Sequence, residues 1–233
     1  MTPGPPADKE RVVFLLDVDN TLLDNDRLKE HIDTEVVALV GPERARRFWE
    51  LYEIVRHERD VVDYLETVRR WVVELDDPAG GERLMHMLER LPFRDFLFPH
   101  VFATIDHLWT MGIVAILSDG DQTFQRLKIR DSGLEKAVRG NVLITVHKEQ
   151  ELPEVFRLYP AAHYVVVDDK PGILAALERD CPTTFTTILV MQGRYATASE
   201  FDPKPDYVVS RIGDVRSFNE KQMAVQTTAP DSV

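Results

Sequence analysis

Two aspartates, Asp17 and Asp19, stand one residue apart where an apolar run, Val12-Val13-Phe14-Leu15-Leu16, comes to an end. Carboxylates that close either share a hard cation or are pushed to different protonation states for acid–base work. Asp-x-Asp alone is also common in acidic turns, and an Asp after a strand often only caps the next helix. The other polar residues of the chain therefore decide its meaning. Ser118 and Asp119, then Lys148, then Asp168 and Asp169 each follow a further apolar run. Any one of them has a structural explanation, as a cap, a solvated lysine or a turn. Together they supply what attack at phosphorus requires: a nucleophile, a proton donor for the leaving oxygen, cations facing the equatorial oxygens, and donors to hold them.

Such residues can act together only if the fold gathers them. Residues 12–16, 113–117, 142–146, 163–167, 187–191 and 207–210 are short, β-rich apolar runs, and helical patterns separate the larger ones. Buried strands alternating with helices predict an α/β fold with a doubly wound parallel sheet and right-handed crossovers. All its strand ends then lie on one edge, where α/β proteins place their ligand site. Between Asp24 and Asp95 the period changes to helical, with Ala45, Phe48, Trp49, Tyr52 and Val55 on one stripe and Val61, Leu65, Val68 and Val72 on another. Gly41-Pro42, the stretch from Asp76 to Gly81, and Leu91-Pro92 read as breaks. The expected organisation is a core of residues 11–23 and 96–218, an all-helical insert of three to five helices at 24–95 lying over the first strand end like a lid, and loose ends at 1–10 and 219–233. Gly112 is expected to end the helix before the second strand.

The order Asp17-Val18-Asp19-Asn20-Thr21, Ser118, Lys148 and Asp168-Asp169, with a helical insert after the first motif, resembles the haloacid dehalogenase superfamily, and within it the phosphatases with a helical cap. The resemblance spans about Arg11 to Phe218. It implies Asp17 as the nucleophile that forms an aspartyl-phosphate, and Asp19 as the acid that protonates the leaving alkoxide and then activates water. It implies Ser118 and neighbouring backbone N–H groups, such as that at Asp119, as phosphate donors, with Lys148 offsetting the charge. Mg2+ would be held by Asp17, the backbone carbonyl of Asp19 and the pair Asp168-Asp169, of which Asp169 is preferred as the direct ligand and Asp168 as the residue orienting water or Lys148. Two positions depart from the commonest pattern: Ile173 stands where many relatives place an acid, and Asn20 where most have Gly. Asn tolerates a left-handed turn better than most residues. Lys128 is a rival to Lys148 but falls within a helix.

The chemistry itself favours an ester over a halide. A halide leaves carbon without a proton, whereas an alkoxide needs one, so an acid two residues beyond the nucleophile is useful only for the latter. The expected activity is a magnesium-dependent phosphatase acting on a small phosphorylated substrate. The alternatives are a phosphomutase or another phosphotransferase, or a binding or regulatory protein on the same scaffold. A phospho-acceptor receiver domain would share the strand-end acids and lysine but not the long helical insert.

Composition limits the partners. The 233 residues carry a net charge of −12 and a pI near 5.0, and the insert itself is net acidic. This argues against nucleic acid or an anionic membrane, both of which need a basic footprint. The cluster Arg44, Arg46, Arg47 reads as a solvated helix face, and so do Arg56, His57 and Arg59. Aromatic residues Phe48, Trp49, Tyr52, Tyr64 and Trp71 are expected to pack the insert. The single cysteine, Cys181, has no internal partner, the histidines lack ligand spacing, and neither a secretory signal nor a membrane span is visible. A cytoplasmic location follows as the expectation. Nothing in the pattern fixes the oligomeric state.

Overall fold

A computed structural model describes residues 12–146, 148, 151–180, 185–196 and 203–223. Cys181 lies outside the described residues, as do positions 1–11 and 224–233. Six strands, β1 (Val12–Leu16), β2 (Gly112–Asp119), β3 (Val142–Thr145), β4 (His163–Asp168), β5 (Phe185–Val190) and β6 (Tyr207–Val209), form one parallel sheet in the order β3-β2-β1-β4-β5-β6. The order reverses at β1, so its carboxyl end, with β4 beside it, is the switch point of a doubly wound sheet.

Side chains alternate between two cores, as the pleat demands. Phe14 and Leu16 of β1 join Val114, Ile116, Val165 and Val167 on one face. That face is covered by α5 (Val101–Trp109), α6 (Gln122–Asp131) and the short α7 (Leu134–Ala137). Val13 and Leu15 join Ala115, Leu117, Tyr164 and Val166 on the other, under α8 (Leu152–Leu158) and α9 (Pro171–Asp180).

Between β1 and α5 lie four helices, α1 (Asn25–Val40), α2 (Pro42–Arg59), α3 (Tyr64–Leu75) and α4 (Pro78–Glu89). Asp24, Asp63 and Asp77 cap three of them, each carboxylate accepting the N–H three residues on. Asp60 and Asp76 end α2 and α3 in the left-handed conformation. Phe48, Val68, Trp71, Leu84 and Leu88 of these helices belong to the same apolar cluster as the sheet's first face. The two chain crossings into this segment run side by side, Asp24 N donating to the Phe96 carbonyl (2.8 Å) and Phe98 N to that of Leu22 (3.0 Å).

Three expectations need correction. Gly80 and Gly81 do not break the chain but form the first turn of α4. A Cβ on Gly81 would lie 2.0 Å from Val72 Cγ2, so the residue is small because α4 presses against α3. Gly112 opens β2; α5 already ends at Trp109. Ser118 and Asp119 are the last residues of β2, whereas β3 stops at Thr145, three residues before Lys148.

Candidate active site

The carboxyl ends of β1, β2 and β4 bring Asp17, Ser118, Asp168 and Asp169 together with Lys148, all at most 2% exposed. Lys148 Nζ lies 2.6 Å from Asp17 Oδ1 and 2.6 Å from Asp168 Oδ2. Asp168 also accepts the Lys170 N–H (2.8 Å) through Oδ1, so its carboxylate holds both lysines' neighbourhood in place. Asp119 lines the same cleft and its Oδ1 accepts the backbone N–H of Lys148 (2.8 Å), so a phosphate there could be met by its backbone N–H but not by its carboxylate. Ser118 Oγ accepts from Gln125 Nε2 at 2.8 Å.

Three buried carboxylates here face two ammonium groups, Lys148 and Lys170, and the electrostatics follow from that deficit. Burial alone would raise the Asp17 carboxyl, but Lys148 and Lys170 and the Lys148 hydrogen bond bring it below the usual range. Burial, with Asp17 and Asp168 alongside, pushes the Asp169 carboxyl up to about 8. Burial also raises Asp168, against the pull of Lys148. For Lys148 the order is reversed: burial favours the neutral amine, and Asp168, Asp17 and Asp119 more than restore its charge.

Each carboxylate of this cluster has a buried oxygen with no hydrogen-bond partner, Asp17 Oδ2, Asp168 Oδ2 and Asp169 Oδ1, of which Asp168 Oδ2 makes an ion pair with Lys148. Ligand atoms from Asp17, Asp168 and Asp169 lie within 4.8 Å of one another. Hard oxygen donors, orphaned and in charge excess, fit a small divalent cation such as Mg2+. Asp169 Oδ1 has neither a hydrogen bond nor an ion pair, whereas Asp168 Oδ2 ion-pairs with Lys148 Nζ and Oδ1 accepts the backbone N–H of Lys170.

Asp19 stands apart from this cluster. Its carboxylate is about a quarter exposed, lines a cleft of about 280 Å³ and is gripped by Lys128 Nζ at 2.6 Å. Lys128 reaches it from within α6, so a position inside a helix did not exclude a place in the site. Lys170, Gln125 and Gln192 also join the site or brace it, although none carries a motif signal. Gln192, just beyond β5, donates to the Thr21 carbonyl (3.1 Å) and accepts from Ile212 N (2.8 Å), bracing the aspartate turn from below. Asn20 takes the left-handed conformation (φ 62°), and its Oδ1 accepts the N–H groups of Asn25 (3.0 Å) and Asp26 (3.3 Å), so it caps α1 as well as closing the turn.

From the helical segment, Lys29, Tyr52, Arg56 and Tyr64 line the cleft opposite. Phe48, Tyr52, Tyr64 and Trp71 pack the helices as expected, and Tyr52 and Tyr64 border the cleft as well. Arg44 and Arg47 pair with Asp77 and Glu74 across helices, and Arg46 pairs with Glu50 along its own. The three form a solvated face away from the cleft.

No protein-family model and no curated protein matches the chain. Among solved structures, a haloacid dehalogenase-like hydrolase from Burkholderia xenovorans LB400 is 37% identical, with a TM-score of 0.84, covering 93% of this chain and 100% of its own. A 2-haloacid dehalogenase from Pseudomonas syringae pv. Tomato DC3000 shares the fold at 18% identity and a TM-score of 0.63, over 89% of this chain and 97% of its own. The magnesium-bound HAD-hydrolase YfnB from Bacillus subtilis does so at 15% and 0.58, over 90% and 98%. With a relative that similar over nearly its whole length, the chain belongs to the haloacid dehalogenase-like hydrolases.

Proposed function

We propose that the protein is a magnesium-dependent phosphatase for a small phosphate monoester. The observation that carries this reading is Asp19, a second carboxyl group in the cleft, beyond the metal-suited cluster and anchored by its own lysine. In the first step an Asp17 oxygen bonds to phosphorus, the ester P–O bond breaks, and its electron pair takes the proton of the Asp19 carboxyl. In the second, a water oxygen attacks the same phosphorus and gives its proton back to Asp19. The Asp17–phosphorus bond then breaks to free inorganic phosphate. Ser118 and Lys148 supply a donor and a positive charge for the phosphoryl oxygens. Magnesium, held by Asp17, Asp169 and the Asp19 carbonyl, would offset the charge of nucleophile and substrate.

The fold is shared with haloacid dehalogenases, one of them solved with chloropropionic acid covalently bound. Halide loss would leave Asp19 and the orphaned acidic oxygens without a task. The test measures inorganic phosphate from aryl and alkyl phosphates, and halide from 2-chloropropionate, with magnesium or chelator. Metal-dependent phosphate release that Asp17→Asn abolishes supports the proposal. Halide release that persists in chelator, without phosphate release, overturns it. A membrane or nucleic-acid partner has no support in the charge, and no helix among the described residues is long and apolar enough to cross a membrane.

A further inference from the structure

An ammonium is costly to bury, yet Lys128 on α6 is only 3% exposed. Its Nζ lies 2.6 Å from Asp19 Oδ1 and 3.1 Å from Asn25 Oδ1, with the Phe124 ring beside it. Lys148 serves Asp17 and Asp168. Two buried lysines therefore divide the two aspartates of the turn between them. Neutralising the nucleophile's surroundings is the task of Lys148, and Lys128 is placed for a different one.

We propose that Lys128 is a positioning residue for the acid–base step, a reading that rests on the phosphatase function proposed above. By holding Oδ1, the ammonium fixes the plane of the Asp19 carboxyl, and the second oxygen is the one left to exchange a proton with the ester oxygen. Proton transfer is effective only within hydrogen-bond reach and at the right angle, so a freely rotating Asp19 would meet the leaving oxygen only part of the time. Asn25 ties the arrangement to the helical insert. It is the first residue of α1, so the ammonium that orients the acid also grips the base of the helices lining the far side of the cleft. The acid is set when Asn25 and Lys128 meet.

The test exploits the leaving group. 4-Nitrophenolate departs without a proton, whereas an alkoxide does not, so Lys128→Met should lower kcat/KM, which reports loss of the leaving group and not the later attack by water that both esters share, on the order of 100-fold for an alkyl phosphate and by less than about 5-fold for 4-nitrophenyl phosphate. In an Asp19→Asn background the same substitution should change the alkyl rate by less than about 3-fold, because the group it orients is gone. Lys128→Gln keeps an N–H for Oδ1 and should recover part of the alkyl rate; it also supplies the comparison if the methionine variant fails to fold. Equal losses of kcat/KM on both esters, a rise in KM with kcat unchanged, or a full further loss in the Asp19→Asn background would overturn the proposal and make Lys128 a structural or substrate-binding cation. Wild-type protein inert toward both esters with magnesium would overturn the phosphatase reading and this inference with it.

Discussion

Asp169→Asn should stabilise the metal-free protein. In the fold this carboxyl is buried beside Asp17 and Asp168 and has its pKa pushed up to about 8, against an ordinary 3.8. An acid whose folded pKa is raised is ionised first in the unfolded chain, so stability falls as pH climbs from about 4 toward 8. At pH 7 the full difference is about 3 pH units at ~1.4 kcal/mol each, a ceiling of about 4 kcal/mol. Asp169 borders a cleft that admits water, so about half of that, ~2 kcal/mol, is the working figure. For a chain of this length it corresponds to a rise of about 4–8 °C in melting temperature. The assay is thermal unfolding in chelator at pH 5, 7 and 8. The variant's advantage should grow with pH, and added magnesium should close the gap by stabilising wild type alone, more at pH 8 than at pH 5, since the ligand binds deprotonated. A variant that melts at or below wild type in chelator at pH 8 would refute the reasoning, because it would show Asp169 to be charge-compensated without a metal.

Lys148→Met removes the shared partner of Asp17 and Asp168, both buried, and should destabilise the fold by about 3–5 kcal/mol in a denaturant titration while abolishing turnover. Gly193→Ala should cost about 1–3 kcal/mol and lower kcat, since φ is +59° there and a Cβ would fall 2.4 Å from Asn20 Cγ, driving that side chain off its cap; an unchanged melting curve would count against it. Arg46→Ala, on a solvated face away from the cleft, should shift stability by less than about 0.5 kcal/mol and leave phosphate release unaltered.

The sheet was legible because its strands are buried on both faces and read as unbroken apolar runs, a pattern that survives without tertiary information. Strand-end polar residues could be named for the same reason: topology alone brings Asp17, Ser118 and Asp168 to one edge. What the sequence hid were residues whose role depends on side-chain reach. Lys128 sits within a helix, and only the tertiary fold brings its ammonium to Asp19. Gln125, Gln192 and Lys170 have no spacing that sets them apart from surface residues. The glycines at 80 and 81 misled for a related reason: a Gly-Gly after Asp-Pro is a turn signal by local chemistry, and close contact with Val72 overrides it.

Asn20 shows how the departure from the commonest motif fits this chain in particular. A glycine there would adopt the same left-handed turn at no steric cost. It would, however, leave the N–H groups of Asn25 and Asp26 without the oxygen that now accepts them, at the start of the helix that carries Lys29 into the cleft. Asparagine does both jobs, and its amide also reaches Asp26 Oδ1 at 3.2 Å. The turn that holds Asp17 and Asp19 is thereby fastened to the base of α1 through Asn20, and a second time through the Asp19–Lys128–Asn25 contacts. Two independent ties between the acid-bearing turn and one helix end mean that any shift of α1 must be felt at Asp19. Asp17 is held differently, by the backbone bond from its N–H to Val167 and by Lys148, both belonging to the sheet side of the molecule. In the proposed mechanism the nucleophile is therefore anchored to the sheet, while the acid is anchored to the helical segment that lines the cleft.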